Sequence, residues 1–181
     1  LFENKIDSVF DIYDLHNQEE LGKRFDVFKD NKNINLYLSS DDNNFNDYNL
    51  ILRSPGFPLF TESLVEAKEH GVEISSAMKL FFELCPTRNI IGVTGSKGKG
   101  TTSSLIQAIL EQTEMKLFLG GNIGVAPFSF IKEITKNDWV ILELSSFQLE
   151  DMHVSPKIAV ITNLIKEHLK PSDPQNPNYH K

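Results

Sequence analysis

A single cysteine, Cys85, stands in 181 residues. No intrachain disulfide can form, a cysteine-rich tetrahedral zinc site is excluded, and a reducing, cytoplasmic compartment is the simplest reading. Long apolar runs are missing as well. Stretches such as Trp139–Leu142 fall far short of the ~20 residues needed to span a bilayer, so no membrane partner is expected. Basic residues are in deficit, with 18 Lys and Arg against 25 Asp and Glu for a net charge of −7. That argues against a generic nucleic-acid binder, which carries a basic surplus, but it leaves room for a local anion site built from backbone amides. Internal repeats, low-complexity tracts and a signal-peptide profile are also missing. The first residues, Leu1-Phe2-Glu3-Asn4-Lys5, include no start Met, and the chain reads as a piece of something longer.

What is present is ordinary for a globular chain: 40% hydrophobic and 24% charged residues, outside the disordered class. At ~150 residues per domain the length suggests one domain plus part of another. Val9–Tyr13 alternates apolar and polar residues and ends at Asp14, as a short strand does. Asn17-Gln18-Glu19-Glu20 has the pattern of a capping box, and Leu21, Phe25 and Phe28 follow at helical spacing. Asn35–Leu38 and Tyr48–Leu52 are further strand candidates, and Ser54-Pro55-Gly56-Phe57-Pro58 is a turn. Helices are expected over Thr61–His70, closed by Gly71, and over Ser76–Leu84. Cys85-Pro86-Thr87 is the best place for a domain boundary, giving units 1–86 and 87–181.

The second half repeats a clearer pattern. Asn89–Val93, Lys116–Leu119, Trp139–Leu142 and Ile158–Ile161 are short apolar runs, and the stretch after Gly100 is a helix with Leu105, Ile106, Ile109 and Leu110 on one face. Continuous apolar runs separated by helical segments indicate parallel strands covered on both faces. The expected fold is therefore α/β. Ligands of such sheets bind at the carboxyl ends of the strands. Here those ends carry Gly120-Gly121-Asn122, Glu143, and Thr162-Asn163.

Thr94-Gly95-Ser96-Lys97-Gly98-Lys99-Gly100-Thr101-Thr102 lies between a strand and a helix. Glycines turn amide N–H groups inward, the helix presents its positive end, and Lys99 adds a point charge. Together these make a phosphate cradle with a threonine hydroxyl available to Mg²⁺. The match to the usual G-x-x-x-x-G-K-[ST] is imperfect: Val93 takes the first glycine position and Gly100 follows Lys99. Glu143 ends a strand expected to be buried, where a carboxylate must be paired or bind metal. It is either a Mg²⁺ ligand or a strand-end glutamate reaching solvent or a lysine. Ser145 and Gln148 fit a helix cap or a substrate contact, Asn122 a tight turn or a ligand contact. His168 by itself is a loop histidine.

Thr94–Thr102, Gly120-Gly121-Asn122-Ile123-Gly124 and Glu143-Leu144-Ser145-Ser146-Phe147-Gln148-Leu149-Glu150 together resemble the Mur ligases. The octapeptide points to the D-glutamate-adding branch of that family, and Thr162-Asn163-Leu164 with Glu167-His168-Leu169 fits the segment that follows. Upstream, Asp14 and Ser54-Pro55-Gly56 resemble parts of the family's uridine-nucleotide-binding domain. The resemblance is specific from 90 to 169 and looser before. It implies a P-loop NTPase-like central domain, present in part over 87–181, preceded by a partial Rossmann-like domain over 1–86. The first strand of the family would then lie before Leu1, and its carbamylated lysine just beyond Lys181.

By the same resemblance the activity is ATP-dependent ligation of D-glutamate to UDP-N-acetylmuramoyl-L-alanine through an acyl phosphate. Gly95 to Thr102 would hold ATP, with Lys99 on the β- and γ-phosphates. Thr101 and Glu143 would hold Mg²⁺, and His168 would serve a second metal site. Asn122, Ser145 and Gln148 would lie along the muramoyl substrate, and Asp14 and Ser54 near the uridine diphosphate. Three departures stand out. Gly100 is as in folylpolyglutamate synthase, which joins glutamate to folate by the same chemistry, and it leaves Thr101 and Thr102 both eligible for the metal. Lys97 replaces the usual asparagine, and Lys170 stands where an acidic residue is usual. The competing readings are a folylpolyglutamate synthase-like ligase, a nucleotide-binding but catalytically silent module, and a generic P-loop phosphotransferase.

Overall fold

A computed structural model describes residues 8–28, 30–39, 44–166, 171–173 and 176–180. The chain divides into two compact units, residues 1–44 and 45–181.

In the first unit, β1 (Phe10–Asp14) and β2 (Ile34–Leu38) run parallel, with Phe10 opposite Ile34 and Asp14 opposite Leu38. Tyr13 and Tyr37 are partners in that ladder and stack with ring centroids 4.6 Å apart. The connection opens as the capping box anticipated. The Asn17 side chain accepts from the amides of Glu19 and Glu20, and Glu20 Oε2 accepts from the amide of Asn17. The α-helix, α1, then lasts only from Gln18 to Leu21 and gives way to a 3₁₀ stretch over Gly22–Phe28. Helical spacing of Leu21, Phe25 and Phe28 suggested a longer α-helix. Gly22, at φ 58°, interrupts the i to i−4 ladder after one turn.

The second unit opens with a parallel pair, β3 (Leu50–Arg53) and β4 (Glu73–Ser76), joined through α2 (Glu62–Glu69). α3 (Ala77–Leu84) follows β4 without a gap, because Ser76 is both the last strand residue and the N-cap, its Oγ accepting from the amide of Lys79. Four further parallel strands form one sheet in the order β6-β7-β5-β8. These are β5 (Ile90–Thr94), β6 (Leu117–Gly121), β7 (Trp139–Glu143) and β8 (Ile158–Ile161). The expected α/β fold with parallel sheets is what the chain adopts. A last antiparallel pair, β9 (Pro171–Asp173) and β10 (Asn176–His180), closes the described chain.

The central strands β5 and β7 are covered on both faces, which is why they read as continuous apolar runs, whereas the edge strand β8, read as covered in the same way, leaves Ile158 and Ile161 exposed. On one face Met78, Phe81 and Phe82 of α3 pack with Ile90, Val140, Leu142 and Leu144. On the other, Ile91, Val93 and Ile141 meet Ile106 and Leu110 of α4 (Lys99–Leu110). The four-residue apolar stripe read for α4 is therefore split. Ile106 and Leu110, one turn apart, face the sheet, while Leu105 and Ile109 are each 59% exposed.

The register aligns the strand ends. Val93 and Gly121 both pair with Glu143, and Thr94 pairs with Ile161. A phosphate-loop start, a glycine turn, a carboxylate and a Thr-Asn pair thus share one edge.

Candidate active site

β5 ends in the glycine loop, and α4 begins at Lys99 behind it, with Gly98 as its N-cap in the left-handed region at φ 82°. The first rung of the α4 ladder runs from the amide of Thr102 to the carbonyl of Gly98, so the amides of residues 99–101 precede the ladder and face the loop end of the helix. Gly95, at φ 135°, occupies backbone space that side chains do not tolerate. A Cβ there would run into Thr162 Oγ1 and the backbone of Asn163.

That close approach is how the loop is held. Thr162 Oγ1 donates to the carbonyl of Lys97 (2.7 Å), and Asn163 Nδ2 donates to the same oxygen (3.1 Å). In return Asn163 Oδ1 accepts from the Lys97 amide (3.0 Å), and Asn163 O from the Ser96 amide (3.2 Å). Ser96 Oγ donates to the Ile165 carbonyl and accepts from the Ile165 amide. Sequence reasoning noticed Thr162-Asn163 only as a strand end; its work as the clamp on the loop is visible once β8 is seen beside β5. Lys99 folds back over the loop, its Nζ donating to the carbonyls of Gly95 (2.8 Å) and Ser96 (3.3 Å). The loop thus carries a cation held by its own carbonyls.

Glu143 is 5% exposed at the end of β7. Its Oε1 accepts from Asn122 Nδ2 (3.1 Å), and its carbonyl from the Asn122 amide (2.8 Å). Asn122 thus joins Glu143 through both side chain and backbone. Oε2 points to the start of α4: a Cβ placed on Gly100 would stand 3.0 Å from it and 2.8 Å from Ile123 Cδ1. The absence of a side chain at Gly100 is therefore what lets the carboxylate close on the helix start. A hard oxygen donor beside a glycine loop and a helix start could hold Mg²⁺, which takes one or two carboxylates alongside substrate phosphates. Thr101 is exposed on the first turn of α4, Thr102 is half-buried, and Ser103 is buried with its Oγ donating to the Lys99 carbonyl.

Ser145 and Gln148 form a reciprocal cap on α5 (Ser146–Leu149): Ser145 Oγ accepts from the Gln148 amide, and Gln148 Oε1 from the Ser145 amide. Asp14 ends β1 in the first unit, where its Oδ1 accepts from the amide (2.9 Å) and ring Nδ1 (2.8 Å) of His16. The backbone bond first, and the ring bond second, hold its carboxyl below the usual 3.8. Ser54, in the second unit, is exposed and opens a turn closed by the Phe57 amide on its carbonyl. His168 and Lys170 lie outside the described residues. Sequence reasoning also missed a buried ionic cluster in which Arg53 meets the adjacent pair Glu150 and Asp151 from a distant part of the chain.

Residues 93–172 match the family model described as the Mur ligase middle domain. The UDP-N-acetylmuramoylalanine–D-glutamate ligase of Clostridium kluyveri is 42% identical over 158 residues, covering 87% of this chain and 34% of that protein. The enzyme of the same name from Clostridium acetobutylicum is 39% identical over 173 residues (93% and 36%). That from Acetivibrio thermocellus is 47% identical over 126 residues (70% and 27%). The chain spans about a third of the length of these curated relatives.

Proposed function

This chain belongs to the Mur ligase family, and we propose that the complete polypeptide of its reading frame joins D-glutamate to UDP-N-acetylmuramoyl-L-alanine at the expense of ATP, in peptidoglycan synthesis in the cytoplasm. The observation that carries the reading is the shared strand edge, where the clamped glycine loop, Lys99 and the buried Glu143 meet. Residues 1–86 are assigned to uridine-nucleotide binding and 87–181 to the ATP-handling central domain.

In the proposed reaction the alanyl carboxylate attacks the γ-phosphorus of ATP and ADP leaves, giving an acyl phosphate. The amine of D-glutamate then adds to the acyl carbon, and the tetrahedral intermediate expels phosphate. The task of the protein is alignment and charge neutralisation. Within the Gly95–Thr102 segment the amides of residues 99–101, which precede the α4 ladder, take phosphate oxygens, and the Lys99 ammonium exchanges its two loop carbonyls for the β- and γ-phosphates. Glu143 and Thr101 would hold one Mg²⁺ and His168 would serve a second metal site; metal bound there would offset phosphate charge. Asn122 steadies Glu143 and, with Ser145 and Gln148, borders the muramoyl end of the substrate. Asp14 and Ser54 serve the uridine diphosphate.

Phosphate release by the complete polypeptide is the test. The reading expects release from ATP only when UDP-N-acetylmuramoyl-L-alanine and D-glutamate are both present. Release with a folate and L-glutamate instead would move the protein to the folylpolyglutamate synthase-like reading that Gly100 favours. ATP binding without release under either condition would identify a silent module.

A further inference from the structure

Arg53, the last residue of β3, has a completely buried side chain. Its Nη1 donates to the carbonyl of Phe57 (2.6 Å) and, more weakly, of Ser54 (3.4 Å), spanning the turn that Ser54 opens. The same guanidinium lies 3.6 Å from Glu150 Oε2 and 3.4 Å from Asp151 Oδ2, with those side chains 1% and 8% exposed. Asp151 Oδ1 in turn accepts from Ser76 Oγ (3.2 Å). Ser76 is the ladder partner of Arg53 and the N-cap of α3.

Burying one cation with two carboxylates is costly, and apolar packing of the same volume stabilises a fold at least as well. What the planar fork supplies is direction: Nη1 reaches the two carbonyls and Glu150 while Nη2 faces Asp151, a set that a lysine or an apolar residue cannot hold at once. The elements so joined are informative. One is the turn beginning at Ser54. The other is the end of the segment that starts at Glu143, passes through the Ser145–Gln148 cap and finishes at Glu150-Asp151.

We propose that Arg53 is a positioning residue for the UDP-sugar substrate, fixing the separation between the turn that receives its diphosphate and the cap that receives its muramoyl-alanine end. The inference rests on the ligase reading above. Arg53 itself, being buried, touches no substrate. It does not reach the glycine loop, which is held by Thr162 and Asn163 instead, so its loss bears on one substrate and not on the other.

The test is steady-state kinetics of the complete polypeptide with each substrate varied in turn. Arg53→Lys keeps the charge and loses the fork, and should raise KM for UDP-N-acetylmuramoyl-L-alanine about tenfold or more while KM for ATP stays within about twofold. Because a lone substitution in a buried cluster can unfold the chain, the neutral combination Arg53→Met, Glu150→Gln and Asp151→Asn is measured beside it, leaving no unpaired buried charge. The same selective rise is expected. Unchanged KM values, or values that rise together for both substrates in folded variants, would overturn the assignment while leaving the ligase reading intact. A wild-type enzyme indifferent to UDP-N-acetylmuramoyl-L-alanine would overturn both.

Discussion

Lys99 is held by two backbone carbonyls of its own loop rather than by core packing, so its removal separates binding from folding. Lys99→Ala should keep the melting temperature of the parent within about 2 °C, as expected for a surface substitution, while calorimetric titration shows most of the affinity for ATP with Mg²⁺ lost. Unchanged affinity would detach the loop from nucleotide binding. Several residue-level readings were legible because the chemistry is local. The Asn17–Glu20 box and the strand-end position of Glu143 follow from neighbours in the chain. Ser145 and Gln148 were open between cap and substrate contact. The structure shows the cap, and the proposed contact asks the same two residues to present their remaining atoms from a rigid turn. The partner of Glu143 was not legible, since Asn122 reaches it from the end of another strand. The reason for Gly100 was likewise hidden until Glu143 and Ile123 were seen against it.

Elements whose burial is two-sided announced themselves. β5 and β7 fall within a residue or so of their apolar runs, because both of their faces are covered by α3, α4 and their neighbours; β8 matches its run as well, although Ile158 and Ile161 are exposed at the sheet edge. β4 did not, since Glu73-Ile74-Ser75-Ser76 has one large apolar residue and owes its extended form to pairing with β3. α4 carried more apolar residues than it buries, so the spacing of Leu105 and Ile109 gave no warning of their exposure. α3 is the element that seals the sheet beneath the site. Phe81 is 0% exposed and meets Phe128 and Phe130 edge to face. Phe81→Ala should cost about 3–5 kcal/mol, the range for emptying a buried aromatic site, read as a lower denaturation midpoint. A loss below about 1 kcal/mol, the level of an ordinary surface change, would show that α3 is not integral to that core.

For the molecule as a whole, a net charge of −7 is compatible with the proposed anionic substrates if the attraction is local. Oriented amides at a helix start and one lysine can hold phosphate without a basic surface. Long-range links are what the sequence concealed: the clamp of Thr162 and Asn163 on the loop, and the ion pairing of Arg53 with Glu150 and Asp151, join segments that no local pattern connects. Only the first of them bears on the strand edge. The account stands or falls on whether a substrate carboxylate is activated there by phosphoryl transfer. Labelling that carboxylate of UDP-N-acetylmuramoyl-L-alanine with heavy oxygen, and analysing by mass spectrometry the phosphate released by the complete polypeptide in the presence of ATP and D-glutamate, tests this directly. The account predicts that each phosphate carries one labelled oxygen, left behind when the amine displaces it from the acyl carbon. Unlabelled phosphate would mean that water, not the carboxylate, takes the phosphoryl group, and would contradict it.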